Sequence, residues 1–191
     1  MSDRDISQLM IEMLTAGIEP VATTMCFVTY YICKNPVAKS KMYEEIDRIF
    51  DDDKTRPVTY SDIEKMVYTE ACIKETLRIM PVVPFLYKRA LKDDTVGDLN
   101  WKTNQDFFIN IHYIHHNKAY WPDPESFIPE RFLNNVQPEE NSYIPFGGGI
   151  RICPGRQMGM NGVKTFFALM LRKYDVELVN PDEPLKKLSS L

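Results

Sequence analysis

The chain has 191 residues, 44% of them hydrophobic and 12% aromatic, enough apolar material for one buried core. Its formal charge of −4 argues against nucleic acid as a partner. Four cysteines (Cys26, Cys33, Cys72, Cys153), three of them in helical patterns, form no disulfide framework and fit a reducing compartment; no secretory leader and no apolar span of ~20 residues is read.

Ser2, Asp3 and Asp5 open a helix with the apolar stripe Ile6, Leu9, Met10, Met13, Gly17, running to Lys34. Asn35-Pro36 ends it and starts another as N-cap and first helical residue, with Met42, Ile46 and Phe50 facing in and Lys39, Lys41, Glu44, Glu45 and Asp47 facing out. A charged loop, Asp51 to Pro57, leads to a capping box of Thr59 with Asp62 and then to a helix that Pro81 stops. After Pro84 the pattern turns to strands, and Leu99–Trp101 with Phe107–Ile109 read as the two arms of a hairpin. Helix returns near His112–His116. Pro122, Pro124, Pro129, Pro138 and Pro145 make 121–146 an irregular packed meander. Met160, Val163, Phe166, Phe167, Met170 and Leu171 mark a last helix, and the tail from Val176 to Leu185 reads as strand and turn.

The most informative segment is Phe146-Gly147-Gly148-Gly149-Ile150-Arg151-Ile152-Cys153-Pro154-Gly155. It sets one cysteine in a glycine-rich loop just ahead of a helix. Glycines let backbone N–H groups approach a sulfur, and a helix N-terminus favours negative charge there. Arg151 supplies a fixed positive charge suited to a carboxylate. No Gly-Lys-Ser/Thr follows, so a phosphate loop is excluded. A thiolate beside a guanidinium suits a haem, with iron on the sulfur and a propionate on the arginine.

Phe146, Gly149, Arg151, Cys153 and Gly155 match the signature FxxGxRxCxG, and the chain resembles the cytochrome P-450 family. Glu75 and Arg78, one helical turn apart, resemble its ExxR pair, and Pro129-Glu130-Arg131-Phe132 its PERF motif, whose arginine joins that pair in a buried network. The resemblance implies a mostly α fold with small β-sheets (α+β). In it, 1–191 is the C-terminal part of a single domain, from the central haem-crossing helix to the helix after the cysteine loop, with the N-terminal half absent. It implies haem b with iron on Cys153, in contact with Phe146, Gly147, Gly149, Gly155, Gly159, Ala16 and Gly17. Arg151 holds one propionate, and Lys88 or Arg89 the other. Gly159 stands where the family usually has alanine.

The implied activity is that of a monooxygenase, acting on a lipophilic organic substrate with electrons from a reductase docked at a basic face of Arg151, Arg156, Lys164, Arg172 and Lys173. Ala16-Gly17-Ile18-Glu19-Pro20-Val21 aligns with the family's AGx(D/E)TT, so Glu19 remains as the proton donor while Pro20 and Val21 replace two threonines. The first of those threonines supplies a proton-relaying hydroxyl, which makes a hydroperoxide or endoperoxide isomerase or dehydratase one alternative. A non-functional fragment is another. Full-length eukaryotic relatives are anchored in the endoplasmic reticulum membrane. His112, His115 and His116 have no carboxylate or third ligand in register, so no separate metal site is read.

Overall fold

The computed structural model describes residues 2–51, 53–134, 138–183 and 185. Helix α1 (Asp3–Lys34) opens on a capping box, in which the Ser2 hydroxyl accepts from the Asp5 N–H and the Asp5 carboxylate accepts from the Ser2 N–H. Its far half enters the core through Thr24, Val28 and Ile32, whereas its first five turns are exposed. The stripe read from sequence is real, but Ile6, Leu9, Met10 and Met13 face open space. This helix also carries an 18-residue window of mean hydropathy 1.3, long and apolar enough to cross a membrane by length and composition, which corrects the reading that no such run exists.

Helix α2 (Pro36–Phe50) starts at Pro36, as a ring with φ fixed near −65° favours. Asn35 does not cap it, however. Its amide donates instead to the Tyr31 carbonyl at 2.7 Å, closing the end of α1. Met42, Ile46 and Phe50 face in, as periodicity requires. Glu45, expected outside, is buried: it accepts from the N–H groups of Tyr68 (2.6 Å) and Thr69 (2.8 Å) and from the Thr69 hydroxyl (2.7 Å). It thus caps a neighbouring helix, where the macrodipole favours a carboxylate.

Helix α3 (Tyr60–Lys65) has the expected Thr59–Asp62 box, and α4 (Val67–Ile79) follows. Strand β1 (Phe85–Arg89) pairs antiparallel with β4 (Asp106–Asn110), and β2 (Asp94–Val96) with β3 (Leu99–Trp101). The expected hairpin between Leu99–Trp101 and Phe107–Ile109 is therefore wrong. Gly97, at φ 58°, closes a two-residue turn between β2 and β3, which leaves β4 to find β1. Helix α5 (Ile111–His115), a 3-10 turn at Pro129–Phe132 and helix α6 (Arg156–Leu171) complete the elements. No strand occurs among the described residues after α6; the Glu183 N–H donates to the Asn180 carbonyl in a turn at 3.2 Å.

The core lies where α1, α2, α4 and α6 meet. Val28, Ile32, Met42, Ile46, Phe50, Cys72, Ile73, Leu77, Val163, Phe167 and Leu171 form one buried cluster. The small sheets and the meander flank it. The arrangement is mostly α with small sheets, as expected.

Candidate active site

The cysteine loop leaves the meander at Ile144-Pro145 and returns at the start of α6. The Cys153 N–H donates to the Phe146 carbonyl at 2.9 Å, and the Ile152 N–H to the Gly149 carbonyl at 3.2 Å. Gly147 (φ 74°) and Gly149 (φ 63°) occupy the left-handed region that side chains disfavour, so these two glycines are demanded by the backbone itself. Gly155 is not: its φ is −84°, and an added Cβ would meet the Cys153 Sγ at an ordinary 3.8 Å. That contact places the sulfur beside the first turn of a 16-residue helix, whose N–H groups favour negative charge. Cys153 and Arg151 are exposed. A Cβ on Gly159 would lie 3.8 Å from the Val21 methyl of α1, so the alanine usual in the family would fit there. This contact brings α6 and α1 together one turn beyond Ala16-Gly17. Ala16, Gly17 and Glu19 are exposed, and a Cβ on Gly17 would meet nothing within 4 Å.

Pro20 sits inside α1 and has no N–H to offer the Ala16 carbonyl. The Thr24 hydroxyl, a candidate to replace the missing threonine, donates to the Pro20 carbonyl at 2.7 Å.

Glu75 and Arg78 are fully buried and joined by two parallel bonds, Nε to Oε2 at 2.8 Å and Nη2 to Oε1 at 2.9 Å. Arg131 reaches the same carboxylate at 3.3 Å. The remaining valences are taken by backbone: Arg78 donates to the carbonyls of His115 (2.8 Å) and Ser126 (3.2 Å), Glu75 accepts from the Ile128 N–H (2.9 Å), and Arg131 donates to the Asp123 carbonyl (2.9 Å). A buried ion pair with every partner present holds together, but strands the others when one is lost. The three charges expected to meet do meet. Sequence reasoning missed the backbone carbonyls that complete them, and those come from segments distant in the chain.

Two expectations about basic residues are corrected. Lys164 is buried on α6, and its ammonium lies 2.6 Å from Glu70, which Lys74 also contacts at 2.7 Å. Arg172 is likewise buried: it donates to the carbonyls of Asp53 and Arg56 and lies over the Phe50 ring at 4.1 Å. Both charges are spent internally. Arg151, Arg156 and Lys173 remain exposed.

On β1, alternation separates the two propionate candidates. Leu86 lies 3.5 Å from where a Gly147 side chain would begin, so Leu86 and Lys88 face the cysteine-loop side, while Tyr87 and Arg89 share the other face. Arg89 is already paired across the strands with Asp106, at 2.5 and 2.9 Å, and Tyr87 donates to the same carboxylate at 2.6 Å. The Arg89 and Tyr87 donors hold Asp106 down at about 2.

Among the described residues no three His, Cys, Asp or Glu side chains cluster as a metal cage. The exposed Cys153 thiol, the glycine turn that holds it and the exposed Arg151 nearby fit a haem.

The comparisons with known proteins agree with this geometry. The family model Cytochrome P-450 matches residues 1–191. The chain belongs to the cytochrome P-450 family. It is 30% identical to a probable cytochrome P-450 4d20 of Drosophila melanogaster over 98% of this chain and 37% of the relative. It is 32% identical to the rat (Rattus norvegicus) steroid 17-alpha-hydroxylase/17,20 lyase over 98% of this chain and 37% of that one. A crystal structure of a cytochrome P-450 (CYP102L1) superposes with a TM-score of 0.85 and 28% identity, covering 93% of this chain and 40% of that one. The chain thus spans about two fifths of the length of these cytochromes P-450.

Proposed function

We propose that residues 1–191 are the C-terminal, haem-ligating part of one cytochrome P-450 catalytic domain. Its reaction is insertion of one oxygen atom from dioxygen into a lipophilic organic substrate, with electrons from a reductase. The observation that carries this reading is the Cys153 loop, with its sulfur beside the first turn of α6 and its glycines in left-handed conformations. When bound, haem b supplies the redox chemistry of oxygen activation at an iron whose electron density the thiolate raises. Cys153 would hold the iron, Arg151 one propionate and Lys88, on the cysteine-loop side of β1, the second, because Arg89 lies on the other face and is paired with Asp106. Phe146, Gly147, Gly149, Gly155 and Gly159 form the floor, and Ala16 and Gly17 keep the opposite wall small. Glu19 has no hydrogen-bond or ion-pair partner among the described residues, which suits a group that hands protons to the reacting centre. A reductase docks on Arg151 and Arg156; Lys164 is excluded by its pairing with Glu70. Endoplasmic reticulum association of the full-length protein belongs to the same reading.

One observation favours a second reading, in which a peroxide replaces dioxygen and the reductase, as in isomerases and dehydratases of this fold. Pro20 and Val21 bring no hydroxyl, and of Thr23 and Thr24, which lie one turn on, Thr24 already donates to the Pro20 carbonyl. The co-substrates that product formation requires separate the two in the full-length protein. Product that requires both reduced nicotinamide and dioxygen, at whatever coupling, supports the monooxygenase, and product formed only with added peroxide supports the second reading.

A further inference from the structure

His115 is the one histidine that is fully buried, and nothing above assigns it a task. It ends α5, a helix anchored by its N-cap, where the Asn110 side chain accepts from the Tyr113 N–H at 2.9 Å. Two different networks meet on it. Its backbone carbonyl accepts from Arg78 at 2.8 Å, which ties it to the Glu75–Arg78 pair. Its ring Nε2 lies 2.9 Å from the Ile144 N–H and must accept there, which puts the ring proton on Nδ1 and fixes the neutral tautomer. The ring also stacks on Tyr143, centroids 5.4 Å apart, and the Tyr143 hydroxyl donates to the Lys74 carbonyl of α4 at 3.0 Å.

Ile144 is the last residue before the cysteine loop that is held at both backbone groups. Its N–H goes to His115, and its carbonyl accepts from Gly147 at 3.0 Å. Pro145 restricts Ile144 to an extended conformation, so fixing its N–H fixes the direction in which the chain enters the loop. Two residues on, the Phe146 carbonyl accepts the Cys153 N–H.

We propose that His115 is a positioning residue for Cys153, linking the buried Glu75–Arg78 pair to the cysteine loop through the Ile144 N–H. A continuous path then runs from Arg78 to the His115 backbone, through its ring to Ile144, and through the Phe146 carbonyl to Cys153. Losing the imidazole acceptor leaves a half-buried N–H without a partner at the loop's entrance. The proposal uses the reading of Cys153 as iron ligand only for its consequence; the coupling itself exists without haem.

Hydrogen exchange on the purified 191-residue chain, resolved to segments, tests it. His115→Leu keeps the volume and removes the acceptor, whereas His115→Gln places an amide oxygen near the Nε2 position. Exchange over 144–153 should rise about fivefold in His115→Leu, exchange over 70–79 should stay as in the native chain, and His115→Gln should restore the native rate. Unchanged exchange over 144–153 in His115→Leu overturns the proposal. So does an equal rise in both segments, which would make the histidine a general core residue, or His115→Gln behaving like His115→Leu. None of these outcomes depends on haem, so failure of the haem-thiolate reading would be seen separately, in the absorption spectrum of the loaded protein.

Discussion

The α4 side of the molecule and its cysteine face are built from the same kinds of residue and finished to different degrees. Around α4, Glu75, Arg78, Arg131, His115 and Glu45 are partnered within the chain, by side chains or by carbonyls and N–H groups from remote segments. Elsewhere, the first five turns of α1, the Cys153 loop and, on the sheet face turned away from that loop, Tyr87 and Phe108 lie open, although they carry large apolar groups. The contrast separates a buried polar framework, whose partners lie among the described residues, from an open apolar surface beside the cysteine loop. Stability should therefore be concentrated in the first region and chemistry in the second.

The sharpest way to break that comparison is to remove one member of the buried network. Arg78→Ala or Glu75→Ala should cost roughly 3–5 kcal/mol in denaturant unfolding, because the remaining charge stays buried without its partner. Met13→Ser or Leu14→Ser on the open face of α1 should change stability by less than about 0.5 kcal/mol. Similar losses at both places would erase the distinction.

Acid should act through the finished region as well. Burial pushes the His115 imidazole down to about 4 from its ordinary 6.5, so the folded state holds it neutral. Its contribution is present above pH 6.5 and lost as pH falls from there toward 4, by up to about 3 kcal/mol. Urea unfolding across that window should show the decline, and His115→Gln should flatten it.

The open face makes its own prediction. An apolar stripe of Ile6, Leu9, Met10, Met13 and Leu14 on one exposed helix should drive association, so sedimentation of the isolated chain should show concentration-dependent oligomers. Replacing Met10 and Met13 with Ser should shift the distribution to monomer.

The smallest effects concern tuning. With Pro20 in place and the Thr24 hydroxyl engaged, the full-length protein should couple reductant to product poorly, and Pro20→Thr should raise the product formed per nicotinamide cofactor consumed. Tightly coupled native turnover, unimproved by Pro20→Thr, would show that Glu19 or water already carries the protons.

Legibility in the sequence followed the range of the interactions. The Ser2 and Thr59 caps, the Pro36 helix start and the glycine loop depend on neighbours within a few residues, and each was readable. The Glu75–Arg78 pair was readable from the family motif. The pairing of β4 with β1 was not, because Leu99–Trp101 had an apolar pattern equally suited to either partner and only the Gly97 turn decided between them. Glu45, Lys164 and Arg172 have the spacing of solvated residues, yet their partners come from other elements, at Thr69, Glu70 and the Asp53 carbonyl. Nothing local in the sequence marks the task of His115, because its link to Ile144 spans 29 positions.

The central claim is that Cys153 binds haem iron as a thiolate, and the absorption spectrum of the reduced, haem-loaded protein under carbon monoxide tests it most directly. The account predicts a thiolate-type band in the native protein that persists in Cys26→Ala, Cys33→Ala and Cys72→Ala and disappears in Cys153→Ala. A thiolate-type band that survives in Cys153→Ala would contradict it.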